Sequence, residues 1–281
     1  MKTRQKWIHA ALAGVALTGM TGWADETKQR IGELDQKVKI IERKLELAEE
    51  SAKAKESAVL TAGKDGFALS APDKSFELKF RGYIQTDARF YLDDDDKKVA
   101  DTFLLRRVRP IFEGKVGQYF DFRLMPDFGG GSTVLQDAYV GIGPSPALNL
   151  RVGKFKEPFG LERLQSGSDL LFIERGHPTS LSPNRDIGAQ LGGDLGGGTF
   201  NYAFGVFNGV ADGGTTDSDN DDGKDAVGRV FWRPFKDSDS AALKGLGIGV
   251  AATYGNADGS LTAPGVASYK STGQQTFFSY R

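Results

Sequence analysis

Between Phe76 and Leu92 the chain alternates without a break between two kinds of side chain. Phe76, Leu78, Phe80, Ile84, Ala88, Phe90 and Leu92 share one parity with Gly82 and Thr86; Glu77, Lys79, Arg81, Tyr83, Gln85, Asp87, Arg89 and Tyr91 take the other. A period of two is the geometry of an extended strand, whose successive side chains leave opposite faces. So long a run with such unlike faces is the dyad repeat of a strand held between oil and water. The pattern returns: Phe120, Phe122, Leu124 and Phe128 oppose Tyr119, Asp121, Arg123 and Asp127, and Leu148, Leu150 and Val152 oppose Asn149 and Arg151. It also marks Phe200–Val206 and Leu246–Tyr254.

A soluble sandwich also alternates, so the connections decide. Tight ones, Gly117–Gln118, Gly143–Ala147 and Gly196–Gly198, follow alternate strands. Between them lie polar connections at Asp93–Asp101, Gly129–Thr133, Glu157–Arg185, Val210–Lys224 and Asn256–Gly273. Short turns on one rim and long loops on the other are the plan of an outer-membrane barrel. The connection near Lys236–Lys244 is longer than its rim predicts. The expected fold class is all-β, a transmembrane antiparallel β-barrel over residues 76–281.

The N-terminus carries an address. Lys2, Arg4 and Lys6 precede an apolar run, Ile8–Met20, that is too short to span a bilayer, and Gly22 and Ala24 are the small residues of a cleavage site. Residues 1–24 therefore read as a signal peptide, with a mature start at Asp25. Residues 25–60 read as a coiled-coil helix. Ile31, Val38, Leu45 and Ala52 fall at a, and Leu34, Ile41 and Ala48 at d. Arg30, Lys37 and Lys44 at g would meet Asp35, Glu42 and Glu49 at e of a parallel neighbour. A single solvated helix is the plain alternative, but so narrow an apolar seam is marginal alone in water. Residues 61–75 (from TAGKDGFALSAPD onward) read as a linker.

Composition removes other classes. With two histidines and no cysteine among 281 residues, most metal and thiol chemistry is absent, and a formal net charge of −1 argues against a nucleic-acid partner. His177 lies near Ser180 and Ser182 without the GxSxG setting of a hydrolase. The acidic tracts Asp93–Asp96 and Asp217–Asp225 suit solvated loops better than calcium sites, since Gly228 stands where an EF-hand needs Glu. GGDLGGG (Gly192–Gly198) lacks the lysine of a P-loop. No cofactor and no enzymatic activity are expected.

The stretch GKFKEPFGLERLQSGSDLLFIERGHPTSLSPNRDIGAQLGGDL (Gly153–Leu195) resembles the phosphate-selective porin O/P family, as does the pairing of RGYIQTDARFY (Arg81–Tyr91) with FLLRRVRPIFEG (Phe103–Gly114). The resemblance covers essentially all of the mature chain, including an N-terminal coiled coil found in many members. It implies a sixteen-stranded trimeric barrel whose third long loop folds inward, with arginines lining the entry and lysines at the constriction. On this resemblance Arg81, Arg106 and Arg107 look like lining arginines, joined by Arg109 on the polar parity, while Lys154 and Lys156 are candidates for the constriction lysine. Arg106 and Lys154 fall on the apolar parity, so each needs its strand to bend or end there.

About ten strands are countable by Arg281, the last being Gln275–Arg281, and a barrel must close because open edges in lipid leave backbone groups unpaired. The expectation is a fragment of a longer barrel, with further lining lysines on later strands. The lumen-parity face of the first five strands holds Lys79, Arg81, Arg89, Arg107, Arg109, Lys115, Arg123 and Arg151 against Glu77, Asp87, Glu113, Asp121, Asp127 and Asp137. That small basic excess fits passive diffusion of small anions, phosphate or related oxyanions. Opposed charge ladders in a general or cation-preferring porin are one alternative; a barrel that mainly tethers the envelope through its coiled coil is another. Expected partners are two further copies in a homotrimer, outer-membrane lipid and lipopolysaccharide, and small anions.

Overall fold

A computed structural model describes residues 28–53, 58–92, 99–211, 214–215, 217, 222–256, 265–271 and 273–280. The expected signal peptide, residues 1–24, lies outside the described residues. The chain divides into two units, Met1–Ser57 and Ala58–Arg281.

In the first unit, residues 28–53 form helix α1. Surface ion pairs Lys39–Asp35 at 2.8 Å and Arg43–Glu46 at 2.9 Å brace it, each contributing only a few tenths of a kcal/mol (~0.3–0.5). Ile31, Leu34, Val38, Ile41 and Leu45 form an exposed apolar stripe along it. Among the described residues no helix is long and apolar enough to cross a membrane.

The second unit is built on one antiparallel sheet of eleven strands whose spatial order is their chain order. These are β1 (Val59–Gly63), β2 (Gly66–Ser70), β3 (Phe76–Arg89), β4 (Thr102–Val116), β5 (Phe120–Asp127), β6 (Val134–Ser145), β7 (Leu148–Lys156), β8 (Arg185–Leu195), β9 (Phe200–Phe207), β10 (Asp225–Trp232) and β11 (Ile248–Tyr254). Short helices α2 (Leu161–Leu164) and α3 (Ala241–Lys244) sit in the β7–β8 and β10–β11 connections. Tight turns and long connections alternate as the sequence predicts, and the β10–β11 connection is the long exception on its rim.

Two expectations need correction. Residues 61–75 are not a linker, and the helix does not reach residue 60: β1 and β2 pair as a hairpin around Lys64–Asp65, and β2 continues the sheet by pairing with β3, Phe67 opposite Phe80. The polar, glycine-rich composition belongs to the two-residue turn and the glycines beside it: Gly66, the first residue of β2, takes φ +104°, and a Cβ there would lie 2.3 Å from the Phe80 carbonyl oxygen. Nor does the final stretch extend the main sheet as a tenth barrel strand. Within it β13 (Thr276–Phe278) pairs with β12 (Tyr269–Lys270) in a separate two-stranded sheet. Stacking of Tyr269 on Phe278, with centroids 5.5 Å apart, stabilises that pairing.

Burial along the strands is inverted. Ile84 is 71% exposed and Phe103 80%, whereas Arg107 and Arg109 are 2% and 7% exposed, and Asp127 and Asp137 are buried as well. In a water-soluble sheet apolar side chains leave the solvent and charges keep it. Here the apolar parity is the outer one, and the charged parity is shielded by the sheet's own connections. With 14 residues at ~3.4 Å each, β3 is about 48 Å long, enough at ~40° tilt to cross an apolar band of ~25 Å.

Ile84 sits near the middle of β3 on the outer parity. Ile84→Arg is expected to destabilise the protein in bilayers by about 2–4 kcal/mol, whereas an exposed site on a water-soluble sheet would change by about 0.5 kcal/mol or less. Reversible unfolding from liposomes in urea measures the difference.

Candidate functional site

The charged face is organised by β4 and by the 157–184 connection, the third of the long ones. In a regular strand Arg106 and Arg107 would leave opposite faces. The β3–β4 register breaks between them: Gln85 pairs with Arg107 and Thr86 with Leu105, so Arg106 is the extra residue of a β-bulge. The bulge removes the parity obstacle, and both guanidiniums reach one carboxylate, Glu174. Arg106 Nε donates to Glu174 Oε1 at 2.6 Å, its Nη2 lies 3.4 Å from Oε2, and Arg107 Nη2 donates to Oε2 at 2.6 Å. Arg107 also donates to the side-chain oxygen of Gln85.

Arg109, two residues on, donates through Nε to Asp127 at 2.7 Å and through Nη1 to the Tyr83 hydroxyl at 2.9 Å. Asp127 is itself fixed, accepting the backbone N–H groups of Val108 and Gly129 at 3.0 and 3.1 Å.

The residues of the 157–184 connection explain its path. Phe155, at the end of β7, packs into a buried cluster with Phe207 and Val227, and Phe159 covers it. Gly160 turns the chain at φ +71°. Both carboxylate oxygens of Glu162 accept the Gly176 N–H, at 3.1 and 3.0 Å, closing the loop across its base. Lys156 donates to the carbonyls of Gln165 at 2.6 Å and Leu164 at 3.3 Å, Arg175 to those of Gln165 at 2.7 Å and Glu162 at 3.2 Å, and Arg163 to that of Thr179. The loop lies over the polar face of the sheet. A Cβ on Gly167 would come within 2.5 Å of the Tyr83 hydroxyl.

At the loop's far end Arg185 donates to Asp137 at 2.7 Å. The buried Asp186 accepts the N–H groups of Ile187, Gly209 and Val210, fixing the start of the β9–β10 connection. A Cβ on Gly188 would lie 2.3 Å from the Val206 oxygen, so β8 and β9 approach closely there.

Three basic cavities adjoin along this face, and a fourth of about 900 Å³, lined by Asp87, Arg89 and Tyr91, meets them at Gly167 and Glu174. One of about 630 Å³ is walled by the tight-turn residues Gly143–Pro146 together with Arg151 and Lys156. A smaller one of about 280 Å³ shares Arg151 and Lys156 with it, and is further lined by Arg81, Arg123, Arg185 and the loop residues Leu164–Gly167 other than Gln165. A third, of about 630 Å³, shares Arg185 and lies beneath the long connections. In each of the three, basic residues outnumber acidic ones, whereas in the fourth Asp87 and Glu174 stand against Arg89 alone. The third is the most unequal, with six arginines and one lysine against the single Glu174. Burial, then the nearby Arg107 and Arg185 guanidiniums, lower Arg175 to about 10, so it keeps its charge at neutral pH.

Arg106, Arg107 and Arg109 thus come together at the third cavity. Arg81 lines the smallest one and pairs with Glu113 at 2.7 Å. Lys156 lines the smallest cavity too, at the mouth of the loop. Lys154 stands apart from the three, buried, with Nζ 2.6 Å from Asp217. Arg163, Arg175, Arg185 and Glu174 were not singled out from sequence, although all four lie within the stretch that carries the resemblance. Only their charge density on one short segment, four of them between positions 163 and 185, could have marked them. Among the described residues there is no group of three or more His, Cys, Asp or Glu side chains placed to hold a metal ion.

Long antiparallel strands with an apolar outer face, and basic cavities under an infolded loop, define a pore-type membrane β-protein. The family described as phosphate-selective porin O and P matches residues 76–271, and the chain belongs to it. It is an outer-membrane porin. A comparison with curated proteins finds no match to the chain.

Replacing Glu162 by Ala removes the carboxylate that holds the Gly176 N–H across the base of the loop. The Gly176 amide is expected to exchange with deuterium roughly ten- to a hundredfold faster, the equivalent of losing a charged hydrogen bond of ~1.5–3 kcal/mol. Amide exchange read by mass spectrometry checks this.

Proposed function

We propose that this protein is a passive porin for small anions, phosphate or related oxyanions, with the sheet forming part of a closed barrel in the outer membrane. The observation that carries the reading is the run of three adjoining cavities from the tight-turn rim to the long-loop side, each with a basic excess. Guanidinium groups bind tetrahedral oxyanions through paired N–H donors, and lysines act as point charges. A narrow, low-dielectric passage walled by such groups favours anions, and sharing the charge among several sites keeps each bound state weak enough for flux. Arg81, Arg106, Arg107, Arg109 and Lys156 are the lining cations in this proposal, with Arg163, Arg175 and Arg185 added. Lys154, tied to Asp217, serves the β9–β10 connection instead.

The assembly reading is a homotrimer embedded among lipid and lipopolysaccharide, with α1 in the periplasm as a parallel coiled coil. The exposed stripe of α1 and its opposed g and e charges support self-association. Closure is supported by energetics, since a sheet edge left in hydrocarbon costs several kcal/mol for each unpaired group.

One observation favours a general porin instead: Arg81, Arg109 and Arg185 each pair with a carboxylate, which is the construction of a transverse field rather than a net charge. Reversal potentials in a potassium chloride gradient across a planar bilayer separate the two. An anion-selective potential, with chloride current blocked by millimolar phosphate, is the expected result; a potential at or beyond zero on the cation side would select the general porin. Among the described residues Arg175 donates only to main-chain carbonyls, and no carboxylate pairs with it. Arg175→Ala is expected to raise the half-blocking phosphate concentration roughly three- to tenfold, about 0.7–1.4 kcal/mol, with chloride current retained.

A further inference from the structure

The third cavity contains a carboxylate where an incoming anion would bind. Glu174 comes from the loop, 68 positions away in the chain from Arg106, and its side chain is only 10% exposed. It takes Nε and Nη2 of Arg106 and Nη2 of Arg107. Three convergent N–H donors are the arrangement that an arginine fork offers equally to a carboxylate and to a phosphate. Of the remaining donors of Arg107, Nη1 is taken by Gln85, and Nε is buried with no acceptor among the described residues. Every other charged side chain in the wall of this cavity is a cation. The site is therefore already occupied by a tethered anion, amid a charge excess that favours a second one.

We infer that Glu174 is an affinity-setting residue: a built-in competitor that occupies the Arg106–Arg107 pair and that a passing oxyanion must displace. The inference rests on the anion-porin reading. A carboxylate fixed to the loop has a high local concentration and gives way only to an anion that gains more from the surrounding guanidiniums. Phosphate, which can carry two charges and offers four oxygens, gains more there than chloride. Displacement leaves no buried charge unpaired, because the anion replaces the carboxylate as Glu174 turns towards Arg175 or the cavity. In effect the glutamate trades binding strength for exit rate, and flux needs that trade.

The test is single-channel recording of the full chain and of Glu174→Gln, which keeps the shape and removes the charge. In Glu174→Gln the half-blocking phosphate concentration is expected to fall by about tenfold or more, with the reversal potential shifted further towards anions. An anion-selective wild-type pore whose phosphate block is unchanged or weakened by Glu174→Gln overturns the competitor and leaves the porin reading standing. A wild-type pore without anion preference overturns both. Should the variant fail to assemble, amide exchange of the wild-type protein over Leu170–Arg175 serves instead. Inorganic phosphate is expected to accelerate exchange there severalfold by freeing the tie, and slower or unchanged exchange overturns the inference.

Discussion

Everything in this fold follows from placing oil where a soluble protein has water. Strands β3 to β9 present Phe, Ile, Leu and Val outward, and each pairs with its neighbours in the meander. The charged parity has nowhere to go but inward. Burying an unpaired charge costs far more than a single side chain gains by packing, so each buried arginine must meet an acceptor. That requirement produces the ladder of pairs: Arg81 with Glu113, Arg109 with Asp127, Arg185 with Asp137, and Arg106 and Arg107 with Glu174. These pairs contribute little net stability, because desolvation offsets most of the attraction. Breaking one of the two pairs buried on both sides, Arg109–Asp127 or Arg185–Asp137, costs about 3–5 kcal/mol because it strands the other partner. They fix geometry rather than supply energy.

The loop over the charged face obeys the same rule. Its segment carries the most distinctive sequence, and the structure gives that sequence a mechanical meaning. In FKEPFGLE, Phe155 anchors the loop's start in the apolar cluster, Lys156 binds the loop's own carbonyls, Gly160 makes the turn and Glu162 closes the base at Gly176. In RDIG, Arg185 holds β8 to β6 through Asp137, Asp186 caps the start of the β9–β10 connection, and Gly188 allows β9 to approach. Much of the segment is therefore scaffolding. Its charges act on the cavities because the scaffolding delivers them there.

What was legible in the sequence was what is local. Alternation from Phe76 onward, the alternation of tight and long connections, and the identity of the inner face all depend on residues one to a few positions apart. The β1–β2 hairpin was missed because five-residue strands around a Gly-Lys-Asp-Gly turn have the composition of a linker. Strict parity set Arg106 on the outer face, and only the bulge opposite Gln85–Thr86 brings it inward; a bulge depends on the partner strand, which no single-strand pattern contains. Glu174 was invisible for a stronger reason. Its role is set by a loop path that brings it across 68 positions to β4, and its own neighbours, Ile173 and Arg175, give no hint of it.

Width and charge are placed differently along the face. The smallest cavity, about 280 Å³, has Arg81, Arg123, Arg151, Arg185 and Lys156 balanced in part by Asp137 and Asp169. The most one-sided charge belongs to a cavity more than twice that volume. On the anion-porin reading, the smallest of the three basic cavities is therefore not the one that most favours negative charge. That reading has an anion drawn first into the larger basic cavity, where water still screens it and release stays fast. On the same reading it sheds part of its hydration only in the smaller, mixed-charge cavity, where the net attraction is less. Were the densest charge at the narrowest point, where the effective dielectric is lowest, attraction would be strongest where escape is slowest, and the passage would become a trap. On that reading, separating the two in space, with Glu174 moderating the more basic cavity as inferred above, lets selection and throughput coexist.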